Sequence, residues 1–519
     1  MEYSTTTWRI HNIKKYTKRS ALLKVLIESI GHQDFTLSFK DHKRLAILIT
    51  KEEELPTIMF RNTELDIRKQ KKEERDVKDI VTPLNGLSYE EQLKKKAKEF
   101  SACYSFLECT EDQIVSIASP VQMGYRNKCE FTFGVTHEGK EILGFRPTKF
   151  SSAPNLVADP KECVFNTPEE MLALVEKINQ YLSSKSGHVF NRVTKEGFLR
   201  LLLLRRLGEH FITILQVNCE SVKEAMGNPL IMEFIEILPE DVFISCTTGV
   251  FDGIARTADI YQVKGTPKEY KVNVGECVFQ VFPLGFFQIN SGVAELMIKT
   301  LKDNIQTDNI LDICCGSGLL GICLAKNTEK KVIGLEISEE SINDAKRNAE
   351  ENQINAKYYC GSVEKTLPLV LAKIKGQATA VIDPPRSGIS DKMTKAITKY
   401  SNISEIFYIS CSYTSVINNI KNIAKIYTLK NVYCFDMFPY TTGIECLFHF
   451  VRKENPEAQS EVVTENPQEN TAQEVESEKA QEPSQEDAVS EKVQESAPET
   501  ESAKHQEVAP ETASANTPL

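Results

Sequence analysis

The chain has 519 residues, 41% hydrophobic and 26% charged, enough for one large core and about two to four domains. Its net charge of −11 is unevenly placed: residues 454–519 carry 17 acidic residues against three lysines, a local −14, so residues 1–453 are slightly basic at +3 and a nucleic-acid partner is not excluded. No apolar run approaches the roughly 18 residues that cross a bilayer, which excludes a membrane-spanning class, and secretion is not expected: the first residues lack the apolar stretch of a signal peptide, and the 14 cysteines form no disulfide framework.

In chain order, Thr7–Ile13 reads as a strand, Ser20–Ile30 as an amphipathic helix, and Phe35–Phe39 and Arg44–Thr50 as two further strands. That β-α-β-β order over residues 1–70 fits the first part of an RNA-recognition-motif module, with few of its stacking aromatics. Residues 71–119 read as a basic linker and helix; the basic run Arg68–Arg75, expected to be a solvated helix face, leads into a polar helix at Tyr89–Lys98. Residues 120–280 read as a β-rich domain of short strands, such as Lys128–Gly134 and Phe211–Val217, interrupted by one helix at Pro168–Leu182. Over residues 281–453 apolar strands alternate with helices, the βαβ signature of a parallel sheet. Its strands are expected at Asn309–Ile313, Lys331–Glu336, Ala378–Ile382 and Ile406–Ser410, closed by Phe435–Met437 and Glu445–Val451. Residues 454–519 lack aromatics and are expected to be a disordered acidic tail.

The chemistry-bearing residues fall at the ends of those strands. Leu311-Asp-Ile-Cys-Cys-Gly-Ser-Gly318 ends a strand in a glycine turn and opens a helix, and Glu336 ends the next strand, where a carboxylate can accept both ribose hydroxyls of an adenosine cofactor. The same pattern describes nicotinamide-dinucleotide sites, but the third glycine of that fingerprint is missing, which suits S-adenosylmethionine better because it has no pyrophosphate to cradle. Asp383-Pro-Pro-Arg386 follows another strand, and its two prolines hold an extended path at the edge where open α/β sheets bind ligands. Cys411 follows the next strand and Glu445 precedes the last. A carboxylate placed there is either paired with solvent or functional.

Six separated segments together resemble the RNA (uracil-5-)methyltransferases: Gly124-Tyr-Arg-Asn-Lys-Cys-Glu-Phe131, Gly285-Phe-Phe-Gln-Ile-Asn290, Leu311–Gly318, Asp383-Pro-Pro-Arg-Ser-Gly388, Ser410-Cys411, and Asp436-Met-Phe-Pro-Tyr-Thr441 with Glu445. The resemblance covers about residues 80–453. It implies an α/β fold, a Rossmann-like class I methyltransferase domain joined to the β-rich RNA-binding domain, with a degenerate RNA-recognition-motif-like α+β module before them. It further implies Cys411 as nucleophile and Glu445 as base, with Gln288, Glu336 and Asp383 contacting S-adenosyl-L-methionine. The expected activity is methylation of uridine C5 in RNA, with the T-loop of tRNA as target. The alternatives are ribosomal or mitochondrial RNA, or a weakened RNA-binding protein that folds tRNA. Location is expected to be cytoplasmic or nuclear rather than mitochondrial.

Two positions depart from the family pattern. Ser412-Tyr413 stands where Asn-Pro or Asp-Pro is usual after the cysteine, and Gly443 stands in place of a histidine two residues before the glutamate. Some bacterial relatives hold an iron–sulfur cluster through cysteines spaced like Cys103, Cys109 and Cys163, but Asp112 occupies the third ligand position, so no metal is expected.

Overall fold

The computed structural model describes residues 6–454 apart from 15, 33–34, 40–45, 51, 53, 70–75, 108, 149, 151–152, 163–164, 250–251 and 256. The acidic tail beyond Glu454, most of the basic run at 68–75, and Cys163 lie outside the described residues.

Strand β1 (Thr6–His11), helix α1 (Arg19–Ile30) and strands β2 (Phe35–Ser38) and β3 (Ala46–Thr50) follow in β-α-β-β order. A hairpin of β4 (Met59–Phe60) and β5 (Thr63–Glu64) then leads to β6 (Asp66–Lys69), which pairs with β1 and gives the antiparallel order β2-β3-β1-β6. Side-chain alternation on β1 decides the buried face. Trp8 and Ile10 point inward with Leu22 and Leu26 of α1 and Phe60 of the hairpin, while Arg9 is exposed.

Helices α2 (Val77–Val81) and α3 (Tyr89–Cys103) come next. A capping box starts α3: Ser88 Oγ accepts from the Glu91 amide, and Glu91 Oε2 accepts from the Ser88 amide. Glu90, Lys94 and Lys98 of α3 are exposed, while Gln92, Lys96 and Phe100, spaced four apart, form a buried stripe. Lys96 can be buried because Asp436, far along the chain, takes its ammonium at 2.6 Å. Strand β7 (Ile114–Ile117), unforeseen in the linker, follows.

The central sheet has the order β13-β12-β11-β10-β8-β9, built from β8 (Lys128–Val135), β9 (Glu141–Gly144), β10 (Leu199–Leu207), β11 (His210–Val217), β12 (Val242–Cys246) and β13 (Tyr261–Lys264). Helix α4 (Glu169–Ser183) packs on one face. Two helices beyond the single one expected, α5 (Val222–Gly227) and α6 (Pro229–Ile237), are started by side-chain caps from Ser221 and Asn228. The run of leucines on β10 serves two faces at once. Leu202 and Leu204 pack with Met171 and Ile178 of α4, whereas Leu201 and Leu203 join a core shared with the C-terminal domain.

That domain opens with a hairpin, β14 (Lys271–Val274) and β15 (Cys277–Gln280), and helix α7 (Ser291–Asn304). There follow β16 (Asn309–Ile313), α8 (Leu319–Ala325), β17 (Lys331–Glu336), α9 (Glu339–Glu351), β18 (Lys357–Cys360), α10 (Val363–Leu371), β19 (Ala378–Ile382), α11 (Asp391–Lys399), β20 (Ile403–Ser410), α12 (Ile417–Ala424), β21 (Tyr427–Phe435) and β22 (Glu445–Arg452). The strand expected at Phe435–Met437 is corrected to β21: its pairing with β22 stops at Phe435 opposite Glu445, and Asp436 begins a turn.

The sheet order is β18-β17-β16-β19-β20-β22-β21-β7, with β22 alone antiparallel to its neighbours among the described residues, a Rossmann-like methyltransferase arrangement. Both faces are covered. On β20, Phe407 and Ile409 enter one core and Ile406 and Tyr408 the other, all fully buried, each contributing about 1.5–3 kcal/mol.

Candidate active site

Strands β16, β17, β19 and β20 run parallel, so their C-terminal ends meet at one edge, and antiparallel β22 begins at that same edge. The order β17-β16-β19-β20-β22 therefore sets Glu336, the 314–318 turn, Asp383, Cys411 and Glu445 side by side.

At the first two strands, Cys314, Gly316 and Gly318 all adopt positive φ (62°, 52° and 83°), making the tight turn into α8. Asp312 is buried on β16. Its Oδ2 accepts from the Gly321 amide at 2.9 Å, and its Oδ1 has no hydrogen-bond partner among the described residues. Burial, reinforced by the charges of Asp383 and Glu336, pushes its carboxyl up to about 7. Glu336 is held facing the turn: Oε2 accepts from Gly316 N at 3.2 Å, and Oε1 from Ile337 N at 2.7 Å and Ser338 N at 3.0 Å.

The Asp383–Gly388 segment begins where the Asp383 amide donates to Ile313 O at 3.3 Å. Burial pushes the Asp383 carboxyl up to about 6. Arg386 is exposed, and its carbonyl accepts from Ser415 Oγ, which ties it to the loop after Cys411. Cys411 is half-buried. Burial and then the Glu445 charge push its thiol up, while the Arg386 guanidinium beside it pulls the other way. Glu445 is buried, and that burial, with the Asp383 charge, holds its carboxyl well above the usual carboxylate range. Among the described residues, no group donates a hydrogen bond to it.

Both departures from the family pattern have local explanations. Tyr413 packs away on α3: its ring meets Phe100 edge-on at 5.8 Å and its carbonyl accepts from Tyr104 Oη. At Gly443 a Cβ would come within 2.9 Å of the Phe438 ring, so that ring occupies the space a side chain would need.

The Gly124–Phe131 segment reaches the same edge from the central domain. Asn127 Nδ2 donates to Gln288 O at 2.7 Å, fixing the segment that carries Gln288, a half-buried residue. From β10, Arg205 Nη1 donates to Pro283 O and Gly285 O, both at 2.7 Å, and holds the preceding turn. Between the two domains lies a cavity of about 560 Å³ whose walls include Arg126, Lys128, Glu130, Phe286, Arg386 and Thr441. The motifs did not mark Arg205 or the buried face of α3. Only the four-residue spacing of Gln92, Lys96 and Phe100 hinted at the last.

Comparison with known proteins finds several similar chains. The family model described as tRNA (Uracil-5-)-methyltransferase matches residues 262–453. Human tRNA (uracil-5-)-methyltransferase homolog A is 27% identical over 461 residues, covering 77% of this chain and 72% of that protein. An uncharacterized RNA methyltransferase of Caldanaerobacter subterraneus is 31% identical over 379 residues, covering 69% of this chain and 80% of the relative. Among solved structures, Pyrococcus abyssi tRNA (uracil-54, C5)-methyltransferase in complex with S-adenosyl-L-homocysteine matches with a TM-score of 0.57 at 22% identity, covering 76% of this chain and 92% of that one.

Proposed function

Because the chain belongs to the tRNA (uracil-5-)-methyltransferase family, we propose that it methylates C5 of a uridine in tRNA, the T-loop uridine, through a covalent bond between Cys411 and uridine C6. The observation that carries this reading is the meeting of Cys411, Glu445, Asp383 and Arg386 on adjacent strand ends, beside a cavity lined by Arg126 and Lys128. A basic cavity wall suits phosphate, and a cavity of that size suits a nucleotide turned out of its stack.

The cofactor side fits S-adenosylmethionine. Ile337 is 74% exposed directly after Glu336, an apolar surface that adenine would cover, and Gly316 leaves open space where a side chain would stand. Gln288, Glu336 and Asp383 would hold it. When bound it supplies an electrophilic methyl group on a sulfonium sulfur.

Uridine C5 is too weak a nucleophile to take that methyl unaided. Addition of the Cys411 thiolate to C6 forms an S–C6 bond and moves the C5–C6 π pair onto the C4 carbonyl oxygen, making C5 nucleophilic. After C5 is methylated, Glu445 takes its proton. The electron pair re-forms the C5–C6 double bond, the S–C6 bond breaks, and Cys411 leaves as thiolate. A carboxyl held above its ordinary range is a stronger base for that step, and Arg386 favours the thiolate at the start and the end.

The test is methyl transfer by purified protein to unmodified tRNA, with mass-spectrometric mapping of 5-methyluridine in the digest. Methyl in the T-loop is the expected result. Methyl confined to another position, or to ribosomal RNA, overturns the target.

A further inference from the structure

The turn that delivers Glu445 is held largely from outside the strands it joins. It runs from Asp436 to Ile444 between β21 and β22. Lys96 of α3 donates from one ammonium to the Asp436 carboxylate at 2.6 Å and to the Phe438 carbonyl at 3.0 Å, with both charged side chains at most 2% exposed. Gln92, one helical turn earlier, accepts from the Tyr440 amide at 2.8 Å while its own amide donates to Leu87 O at 3.1 Å. The Leu84 amide donates to Tyr440 O at 3.0 Å, and Tyr125 Oη to Pro439 O at 3.2 Å. Tyr440 sits at φ 63°, a left-handed conformation that a side-chain-bearing residue keeps only when its surroundings impose it.

We infer that Gln92 and Lys96 of α3 are positioning residues for the base: by pinning Asp436, Phe438 and Tyr440 they place the Glu445 carboxylate for removal of the C5 proton. The inference rests on the reading of Glu445 as that base. Two apolar side chains would fill the same space without the cost of desolvating two charges. What the charged pair adds is direction, since one ammonium fixes two points of the turn. Direction matters because no hydrogen bond among the described residues orients the Glu445 carboxylate, so its position is set by the backbone that carries it. Proton transfer requires heavy atoms within hydrogen-bond reach, and a displacement of about 1 Å costs on the order of a hundredfold in rate.

The test compares Gln92→Met, Lys96→Met and Lys96→Arg with Glu445→Gln on unmodified tRNA. It follows turnover, calorimetric affinity for S-adenosylhomocysteine, and protein–RNA adduct on denaturing gels. The α3 variants to methionine should bind S-adenosylhomocysteine as the unmodified protein does and keep KM for tRNA within about twofold. Their kcat should fall about 10–100-fold, with methylated adduct accumulating as in Glu445→Gln, and Lys96→Arg should recover part of the loss. Adduct in Glu445→Gln but none in Gln92→Met or Lys96→Met overturns the positioning role and leaves the base intact. No adduct in Glu445→Gln overturns the base itself. If no α3 variant binds S-adenosylhomocysteine, α3 supports the fold rather than the base, and the inference fails.

Discussion

At Cys411 burial and the charges of Glu445 and Asp383 push the thiol up, while the exposed Arg386 pulls it down. Cys411→Ala should abolish turnover. It should also abolish the stable complex expected with 5-fluorouracil-substituted tRNA, which has no C5 proton to remove; residual methylation by the variant would remove Cys411 from the mechanism. Glu445→Gln keeps the shape and loses the acceptor, so turnover should fall by roughly 10²–10⁴-fold while methylated adduct builds up on gels. Asp312 makes a separate prediction, about stability. Its folded pKa of about 7 lies above the ordinary value near 4, so in that window the folded state binds more protons and stability falls as pH rises. Asp312→Asn keeps an oxygen for the Gly321 amide and removes the charge. In ligand-free melts it should raise stability at pH 8, by at most about 4 kcal/mol, with the gain shrinking towards pH 5; a gain independent of pH would refute the cause.

Among the elements, the segment from Asp383 to Ser390 shows how rigidity is supplied to an exposed arginine. Asn419 of α12 ties it down: Asn419 Oδ1 accepts from the Ile389 amide at 3.2 Å and from Tyr408 Oη at 3.1 Å, and Asn419 Nδ2 donates to Ile389 O at 2.8 Å. Gly388 sits at φ 76° with no room beside it, since a Cβ would run into Asn419 Oδ1. Gly388→Ala should therefore destabilise by about 1–3 kcal/mol and lower kcat by shifting Arg386 and Asp383; an unchanged melting temperature and rate would show that the loop tolerates the strain. Elements of this kind are legible in sequence where apolar alternation is strong. Asn309–Ile313 and Ala378–Ile382 match β16 and β19 residue for residue. The buried stripe of α3 was not legible from residue type. Lysine and glutamine look solvated until a partner 340 residues away is known, and no local pattern carries that partner.

For the whole molecule, the uneven charge matters more than the net value. With −14 placed beyond residue 453 and +3 before it, the tail should weaken RNA binding by repelling phosphates. Deleting residues 454–519 should leave kcat unchanged and tighten tRNA binding at low salt, an effect that vanishes as salt rises; a large fall in kcat with cofactor affinity intact would give the tail a part in the reaction. The Rossmann-like domain was readable because its strands and motifs follow one another in order. The union of the central sheet with it was not. Leu201 and Leu203 look the same as Leu202 and Leu204 in sequence, and only the sheet's orientation assigns them to different cores.

The edge strand β7 has a consequence for how the chain is made. Ile114 pairs with Val432 in parallel, so β7 leaves the ribosome long before its partner exists. The central sheet finds all its strands between residues 128 and 264 and can close during synthesis, whereas the C-terminal sheet has a gap between β20 and β21 until its last strand inserts. That last strand begins with Glu445. Cys411 can therefore stand at an incomplete edge, but Glu445 arrives only with the final segment of the domain. A nascent or truncated chain ending before residue 436 would lack both acceptors of the Lys96 ammonium, the Asp436 carboxylate and the Phe438 carbonyl, so α3 is joined to the last strand only once that strand is in place.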